Sequence, residues 1–288
     1  MSTQVETAFV QQYSSTLATL VQQKGSRLRS AVRNETLTGR YGFWDQIGSV
    51  EAQERTARHG NSPILDTPHA RRRVSGRDFE WGDLVDTQDK VRMLIDPAST
   101  MLQSAMWSLG RKIDDLIITA ATGTAYTGET GSTSVPLPTT QKIAVASTGL
   151  TLAKLLSAKE ILDGNETDPD EPRYIACAAK QITNLLNTTE VKSADYNTVK
   201  ALASGQLDTF LGFKFIRTQR LGQLTSTTHR AVIAWVQSGI LLATQKDIMG
   251  RIAERADKSF ANYAYACLTA GATRMEEKKV VQIACLET

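Results

Sequence analysis

The sequence predicts an α+β fold, and three stretches predict it. Residues 96–122, DPASTMLQSAMWSLGRKIDDLIITAAT, carry apolar side chains at helical spacing. Residues 71–85, RRRVSGRDFEWGDLV, alternate on either side of Ser75-Gly76. From Arg251 the chain alternates again, through RIAERAD and then NYAYACLTAGATRMEEKKVVQIACLE. The first pattern has the period of a helix and the other two that of strands.

The helix begins at Asp96, whose carboxylate suits an N-cap, and Pro97 suits the first turn, where its missing donor costs nothing. Leu102, Ala105, Met106, Leu109, Ile113, Leu116, Ile117 and Ala120 form one apolar stripe. Gly123 ends it. At about 1.5 Å per residue such a helix is roughly 40 Å long, a rod against which other elements can be laid.

Length and charge narrow the function classes. The 288 residues suffice for one large domain or two modest ones. A formal net charge of +3 is too small to mark a nucleic-acid binder. No segment approaches ~20 consecutive apolar residues, so no transmembrane helix and no membrane partner is expected. The start, MSTQVETAFVQQYSSTLATL, lacks the basic opening and apolar run of a signal peptide, which points to a chain that stays in the cytosol. Cys177, Cys267 and Cys285 are few, odd in number and set among apolar residues, so buried free thiols are expected.

Residues 4–23 read as an amphipathic helix with Val5, Phe9, Tyr13, Leu17, Leu20 and Val21 on one face, followed by a basic cluster at Lys24, Arg27, Arg29 and Arg33. This piece has too little apolar surface to fold alone and reads as an arm, its basic cluster a solvated face. Residues 50–95 segregate their charge. Arg55, Arg58, Arg71, Arg72, Arg73 and Arg77 come first, with His59 and His69, and Asp78, Glu80, Asp83, Asp86 and Asp89 follow. Pro63 and Pro68 exclude a helix early in this stretch. The turn at Ser75-Gly76 reads as a projecting polar hairpin. As a surface loop its charges are merely solvated. As a reaching arm, its two halves meet complementary surfaces on neighbouring subunits, where exposed ion pairs of about 0–1 kcal/mol select register and partner.

Residues 123–140 are small and flexible and form a surface loop; GETGSTS lacks the lysine of a phosphate-binding loop. Residues 151–164 form an amphipathic helix, capped by Thr151 and stopped at Gly164. NETDPDEP is an acidic turn without the spacing of a calcium loop, despite Asp168, Asp170 and Glu171. RYIACAA (173–179) is a buried strand, 180–188 a helix, Tyr196 to Ala203 a polar linker, LGFKFIRT (211–218) a strand, and 229–244 strand-like. The C-terminal strands turn at Ala270-Gly271-Ala272 or at Met275-Glu276-Glu277, with Tyr263, Tyr265, Val280 and Ile283 as candidates for one packed face.

Catalytic chemistry is not visible. His59, His69 and His229 have no partner at metal-ligand spacing, no GxSxG elbow occurs, and Asp114 and Asp115 point about 100° apart on a helix, with Arg111 and Lys112 near enough to make surface ion pairs. The reading is no enzyme, no cofactor and no metal.

The order of parts, and two phrases above all, resemble a known family. These are DTPHARRRVSGRDFEWGDLVDTQDKVRMLIDP (66–97) and LGRKIDDLIITAATGTAYTGETG (109–131), joined by RYIACAAKQITNLL and FLGFKFIRT. The chain resembles the major capsid proteins of tailed bacteriophages with the Hong Kong 97 type fold, over essentially everything from residue 50. The resemblance implies an N-terminal arm (1–49), an extended β-hairpin loop (50–94), a peripheral domain with a long spine helix (95–173 and 251–288) and an axial domain (174–250). It also implies self-assembly as hexamers and pentamers into an icosahedral head around double-stranded DNA, in the virion after assembly in the host cytoplasm, with portal, scaffolding or decoration proteins as further partners. Arg71, Arg72, Arg73, Arg77, Asp78, Glu80, Asp83 and Asp86 are the candidate inter-subunit contacts. A bacterial nanocompartment shell is the alternative on the same fold. A DNA-binding protein using Arg71, Arg72 and Arg73 is the alternative from another class, and it demands salt-dependent DNA affinity of the free subunit.

Overall fold

The computed structural model describes residues 20–56, 58, 62, 64–86, 98–187, 209–224 and 228–287. The cap at Asp96-Pro97, the linker from Tyr196 to Ala203, His59, Pro63 and Asp89 lie outside the described residues, as does most of the helix expected over 4–23; residues 20–23 are irregular.

Strands and helices follow one another as β1 (Arg33–Thr36), β2 (Tyr41–Ile47), β3 (His69–Ser75), β4 (Arg77–Val85), α1 (Ala98–Thr122), β5 (Ala125–Thr127), β6 (Thr133–Val135), β7 (Lys142–Ile143), α2 (Leu152–Gly164), β8 (Arg173–Cys177), α3 (Ala179–Leu186), β9 (Thr209–Phe210), β10 (Phe213–Arg217), β11 (His229–Val236), β12 (Ile240–Arg255), β13 (Ala261–Arg274) and β14 (Val280–Leu286). The strands form three sheets, with orders β1-β12-β13-β4, β7-β14-β11-β8-β10-β9 and β2-β3-β5-β6. The fold is α+β.

The chain divides into two compact units. The first comprises residues 1–25, 79–110 and 248–268. It contains the N-terminal half of α1, where Ala105 and Leu109 are buried. Gly250 on β12 faces Leu102: a Cβ there would stand 2.9 Å from Leu102 Cδ1, so a larger residue requires the leucine side chain to shift. Tyr263 and Tyr265 stack at 6.0 Å, and the Tyr265 hydroxyl donates to Glu80 at 3.0 Å. The N-terminal segment meets α1 here, with Lys24 5.4 Å from the Trp107 ring and Gln22 Nε2 donating to Ser104 at 3.2 Å.

The second unit comprises residues 26–78, 111–247 and 269–288. Its centre is the six-stranded sheet. β8 and β11 are apolar without interruption, at Ile175–Cys177 and Ala231–Val236, and β14 is buried from Val280 to Ile283 with Gln282 as its one polar member, because both sheet faces are covered. β11 runs antiparallel to both β8 and β14, while β10 is parallel to β8 and β7 to β14. From α2, Leu155, Ala158 and Leu162 are buried, and from α3, Ile182 and Leu185. Thr151 caps α2 as expected, its hydroxyl accepting from the Lys154 amide. The three cysteines are buried and free, also as expected. A smaller cluster joins Leu37, Val74, Leu241, Ala243 and Met275, with Trp44 against it.

Two expectations are corrected, on the partner of β3 and on the packed face of the last strands, and two are made more specific. β3 and β4 do not pair across Ser75-Gly76. β3 pairs with β2, from Tyr41 opposite Ser75 to Ile47 opposite His69, and β4 belongs to another sheet. Alternation marks a strand but does not name its partner, and Gly76 instead donates its amide to the Arg40 carbonyl at 3.2 Å. The stretch 229–244 is strand as expected, in two pieces, β11 and the start of β12, with the turn Gln237–Gly239 between them. Of the two turns the sequence offers for the C-terminal reversal, the structure uses the second, at Met275-Glu276-Glu277, and Ala270–Ala272 lies inside β13. Tyr263 and Tyr265 are on β13 and Val280 and Ile283 on β14, in different sheets, so they form no single face.

Candidate assembly surface

β2 alternates, and its register with β3 fixes two faces. One carries Tyr41, Phe43, Asp45 and Ile47 beside Arg71 and Arg73, and β5 extends it by placing Tyr126 opposite Arg73. Tyr41, Phe43, Tyr126 and Ile47 keep 45%, 41%, 41% and 71% of their surface exposed. The arginines are ordered on the rings. The Arg73 guanidinium stands 5.2 Å from the Tyr41 ring and 4.9 Å from that of Tyr126, and Arg71 stands 5.7 Å from Phe43. Arg71 Nε also donates to Asp45 at 3.0 Å. Gly131, at φ +63°, lets the β5–β6 turn pass over Arg73, since a Cβ would lie 2.6 Å from Arg73 Cδ. Exposed tyrosine and arginine stacked on one another are the composition of interface anchors, rich in contact area and hydrogen-bond donors.

The other face turns inward. Arg72 is buried, with Nε donating to the Met275 carbonyl at 2.9 Å and Nη2 to Glu277 Oε2 at 2.6 Å. Gln46 Nε2 donates to the same carbonyl at 2.6 Å. Glu277 faces a second arginine, the fully buried Arg274, whose Nε is 3.4 Å from Oε1. Arg274 in turn donates to the carbonyls of Ala121, Gly123 and Val135 at 3.0, 2.7 and 2.9 Å. Ala121 and Gly123 are at the C-terminal end of α1, where the helix dipole favours a cation. Burial pushes Arg274 below its ordinary value, and Glu277 pulls it back up. The base of the β2–β3 pair is thus tied to the end of α1 and to the turn before β14.

Of the sequence-predicted contact residues, Arg71 and Arg73 are therefore on the outer face, and Arg72 is engaged within its own subunit. Arg77, Asp78, Glu80, Asp83 and Asp86 are exposed on or just after β4. Asp78 accepts from the Thr269 hydroxyl at 2.7 Å and Glu80 from Tyr265. Asp114 was expected at the surface. It is fully buried, accepting from the Ser26 hydroxyl at 2.6 Å and from the Arg27 and Leu28 amides at 3.1 Å. Asp115 makes a two-bond ion pair with Arg220 at 2.6 Å. Sequence reasoning also missed Tyr41, Phe43 and Tyr126, although the alternation YGFWDQI was there to find β2. Among the described residues, no three His, Cys, Asp or Glu side chains are grouped to hold a metal ion.

The sequence profile of the phage capsid protein family matches residues 5–287. The chain belongs to the phage capsid protein family. This capsid protein shares its fold with solved phage capsids. Against the capsid of Cyanophage P-SCSP1u the TM-score is 0.78 at 15% identity, covering 100% of this chain and 96% of that one. Against the capsid of Ralstonia phage GP4 it is 0.74 at 11%, covering 97% and 95%. Against the head of Helicobacter pylori bacteriophage KHP40 it is 0.74 at 11%, covering 99% and 98%. A comparison with curated protein sequences finds no match. The Hong Kong 97 type fold expected from the sequence is the fold of this capsid protein, and its function is that of a major capsid protein of a phage head. Such a protein acts by self-association into a shell and is located in the virion.

Proposed function

We propose that this capsid protein closes an icosahedral head around double-stranded DNA by head-to-tail contacts. These run through the arm (1–49), the extended segment (50–94) and the axial region (174–250), with hexamers and pentamers as the repeating rings. The observation that carries the reading is the aromatic and arginine face of β2, β3 and β5, which stays exposed among the described residues. Arg71, Arg73 and Arg77 act as its basic contacts, and Asp78, Glu80, Asp83 and Asp86 as the acidic complement; Arg72 supports the face from below. Each contact is weak alone and strong in sum, because every subunit makes many. The role is mechanical, without catalysis, assembly takes place in the host cytoplasm, and portal, scaffolding or decoration proteins are further partners.

The test is sedimentation velocity and electron microscopy of the full chain beside an Arg71→Ala/Arg73→Ala variant. The wild type is expected to form shells or rings, and the variant to stay folded and unassembled. Normal shells from the variant would remove the role given to this face.

A further inference from the structure

We propose that Arg27 and Lys214 mark a surface that holds the phosphates of duplex DNA without reading its sequence. The assignment rests on the head proposed above and says which side of the subunit turns toward the packaged genome. It starts from the basic cluster Lys24, Arg27, Arg29 and Arg33, whose charges the folded chain treats differently. Arg29 makes a two-bond pair with Asp247 at 2.8 Å, and Arg33 is 2.8 Å from Glu35. Lys24 stands over the Trp107 ring. Arg27 is exposed, and its guanidinium donates to a carbonyl instead, that of Arg217 at 2.6 Å. Asp114 takes the backbone amide of Arg27, at 3.1 Å. Among the described residues neither the Arg27 nor the Lys214 side chain pairs with a carboxylate.

The six-stranded sheet brings the second cation to the same side. Strand register sets Lys214 on β10 opposite Tyr174 on β8, and Tyr174 opposite Trp235 on β11, so the three share one face. The N-terminal segment meets that face, because Trp235 Nε1 donates to the Ala31 carbonyl at 2.8 Å. Lys214 is exposed, with its ammonium 5.7 Å from the Tyr174 ring, and Tyr174 stacks on Trp235 at 6.0 Å. A ring beneath a cation leaves its charge in place, whereas a carboxylate cancels it. Arg27 reaches Arg217, three residues from Lys214 on the same strand, which is about 10 Å at ~3.3 Å per residue. Phosphates of one DNA strand follow at about 3.4 Å of helix rise, so this distance spans roughly three of them. The carboxylates on the adjoining stretch of α1 are already engaged. Asp115 is held by Arg220 through two bonds at 2.6 Å, and Asp114 is buried. Such a surface has a local positive potential that a net charge of +3 averages away. The contact is weak at each subunit and sums over the shell.

The experiment measures fluorescence anisotropy of a labelled duplex of about 30 base pairs against the unassembled full chain, from about 50 to about 200 mM salt. Two variants with the same change of charge are compared. One is Arg27→Gln/Lys214→Gln; the other is Lys180→Gln/Lys278→Gln, at exposed positions on α3 and in the turn before β14. The first is expected to bind about tenfold more weakly than the wild type at the lower salt, with a slope of log affinity against log salt shallower by about two. The second is expected to lose less than about twofold. All four positions are exposed, and unchanged thermal melting shows that both variants fold. Equal losses in the two variants overturn the surface, because net charge alone then explains them, and so does a wild type that binds no duplex. Electron microscopy of the same proteins keeps this result apart from the head reading. Shells from both variants with equal DNA affinity overturn the surface alone. A wild type that forms no particle overturns the head, and a loss of affinity confined to the first variant then still supports the surface.

Discussion

Arg72 and Glu277, 205 residues apart in sequence, meet at 2.6 Å beneath the outer face of the β2–β3 pair. The same carboxylate faces Arg274 at 3.4 Å, so one acid serves two buried guanidinium groups. Carbonyls absorb the remaining positive charge: Met275 accepts from Arg72, and Ala121, Gly123 and Val135 accept from Arg274. The exposed face of the β2–β3 pair is therefore fixed by a charge network that lies inward.

Glu277→Gln leaves two buried cations without a counter-charge and is expected to lower stability by about 3–5 kcal/mol. Arg72→Ala removes one cation and leaves Glu277 with Arg274, so a smaller loss of about 1–3 kcal/mol is expected. Denaturant unfolding of the unassembled chain checks the order. An equal or larger loss for Arg72→Ala would contradict the sharing of Glu277.

Asp114 holds the chain at Ser26, Arg27 and Leu28 through three donors. Asp114→Ala leaves those donors buried without an acceptor, at about 2–4 kcal/mol. Limited trypsin digestion should then cut sooner after Arg27 and Arg29 than in the wild type, while sites on α2 keep their rate.

These two networks show what the sequence could and could not reveal. α2, β8 and α3 were legible because local signals bound them: a threonine cap, a glycine stop and an unbroken apolar run from Ile175 to Ala178. The stripe of α1 was legible in period but rotated slightly. Ile118 and Ala121 are buried where Met106 was expected to be. Asp114 was misread because a carboxylate on a helix is normally solvated. Donors 86 to 88 residues away help make its burial tolerable, and no local pattern announces them. The partner of β3 failed for a related reason, since the turn signal at Ser75-Gly76 is local and the seven-residue match to β2 is not.

Gly271 lies where β13 passes the corner between β3 and β4, and a Cβ there would stand 2.2 Å from the Ser75 carbonyl. Backbone cannot move aside as a side chain can. Gly271→Ala is expected to cost about 2–3 kcal/mol, and Gly250→Ala, which meets only the Leu102 side chain, about 1 kcal/mol. Thermal melting of the two variants checks the ranking.

Lys154 places its ammonium between three carbonyls, those of Val145, Thr148 and Ala284, at 2.8, 2.8 and 2.9 Å. It ties the loop before α2 to β14. Lys154→Met fills the same volume but leaves three acceptors buried, so a loss of about 2–4 kcal/mol is expected by denaturant unfolding. A neutral or stabilising outcome would show that the carbonyls find water instead.

Cys285 gives the pH prediction. Burial pushes its thiol from 9.0 up to about 11, with Lys154 opposing the rise. The folded chain keeps a proton that the unfolded chain releases above pH 9, so the stability from this group is complete below pH 9.0 and is lost as pH rises to about 11. Cys177, more deeply buried, is shifted in the same direction. Burial lowers Lys154 below its ordinary 10.5, which acts with the opposite sign: the unfolded chain holds the extra proton, so this group gains stability as pH rises toward 10.5. Two thiols against one amine leave a net decline. Unfolding free energy of the unassembled chain should therefore fall between pH 9 and 11, and Cys285→Ala should flatten the fall. An undiminished slope in that variant would assign the alkaline loss to other groups.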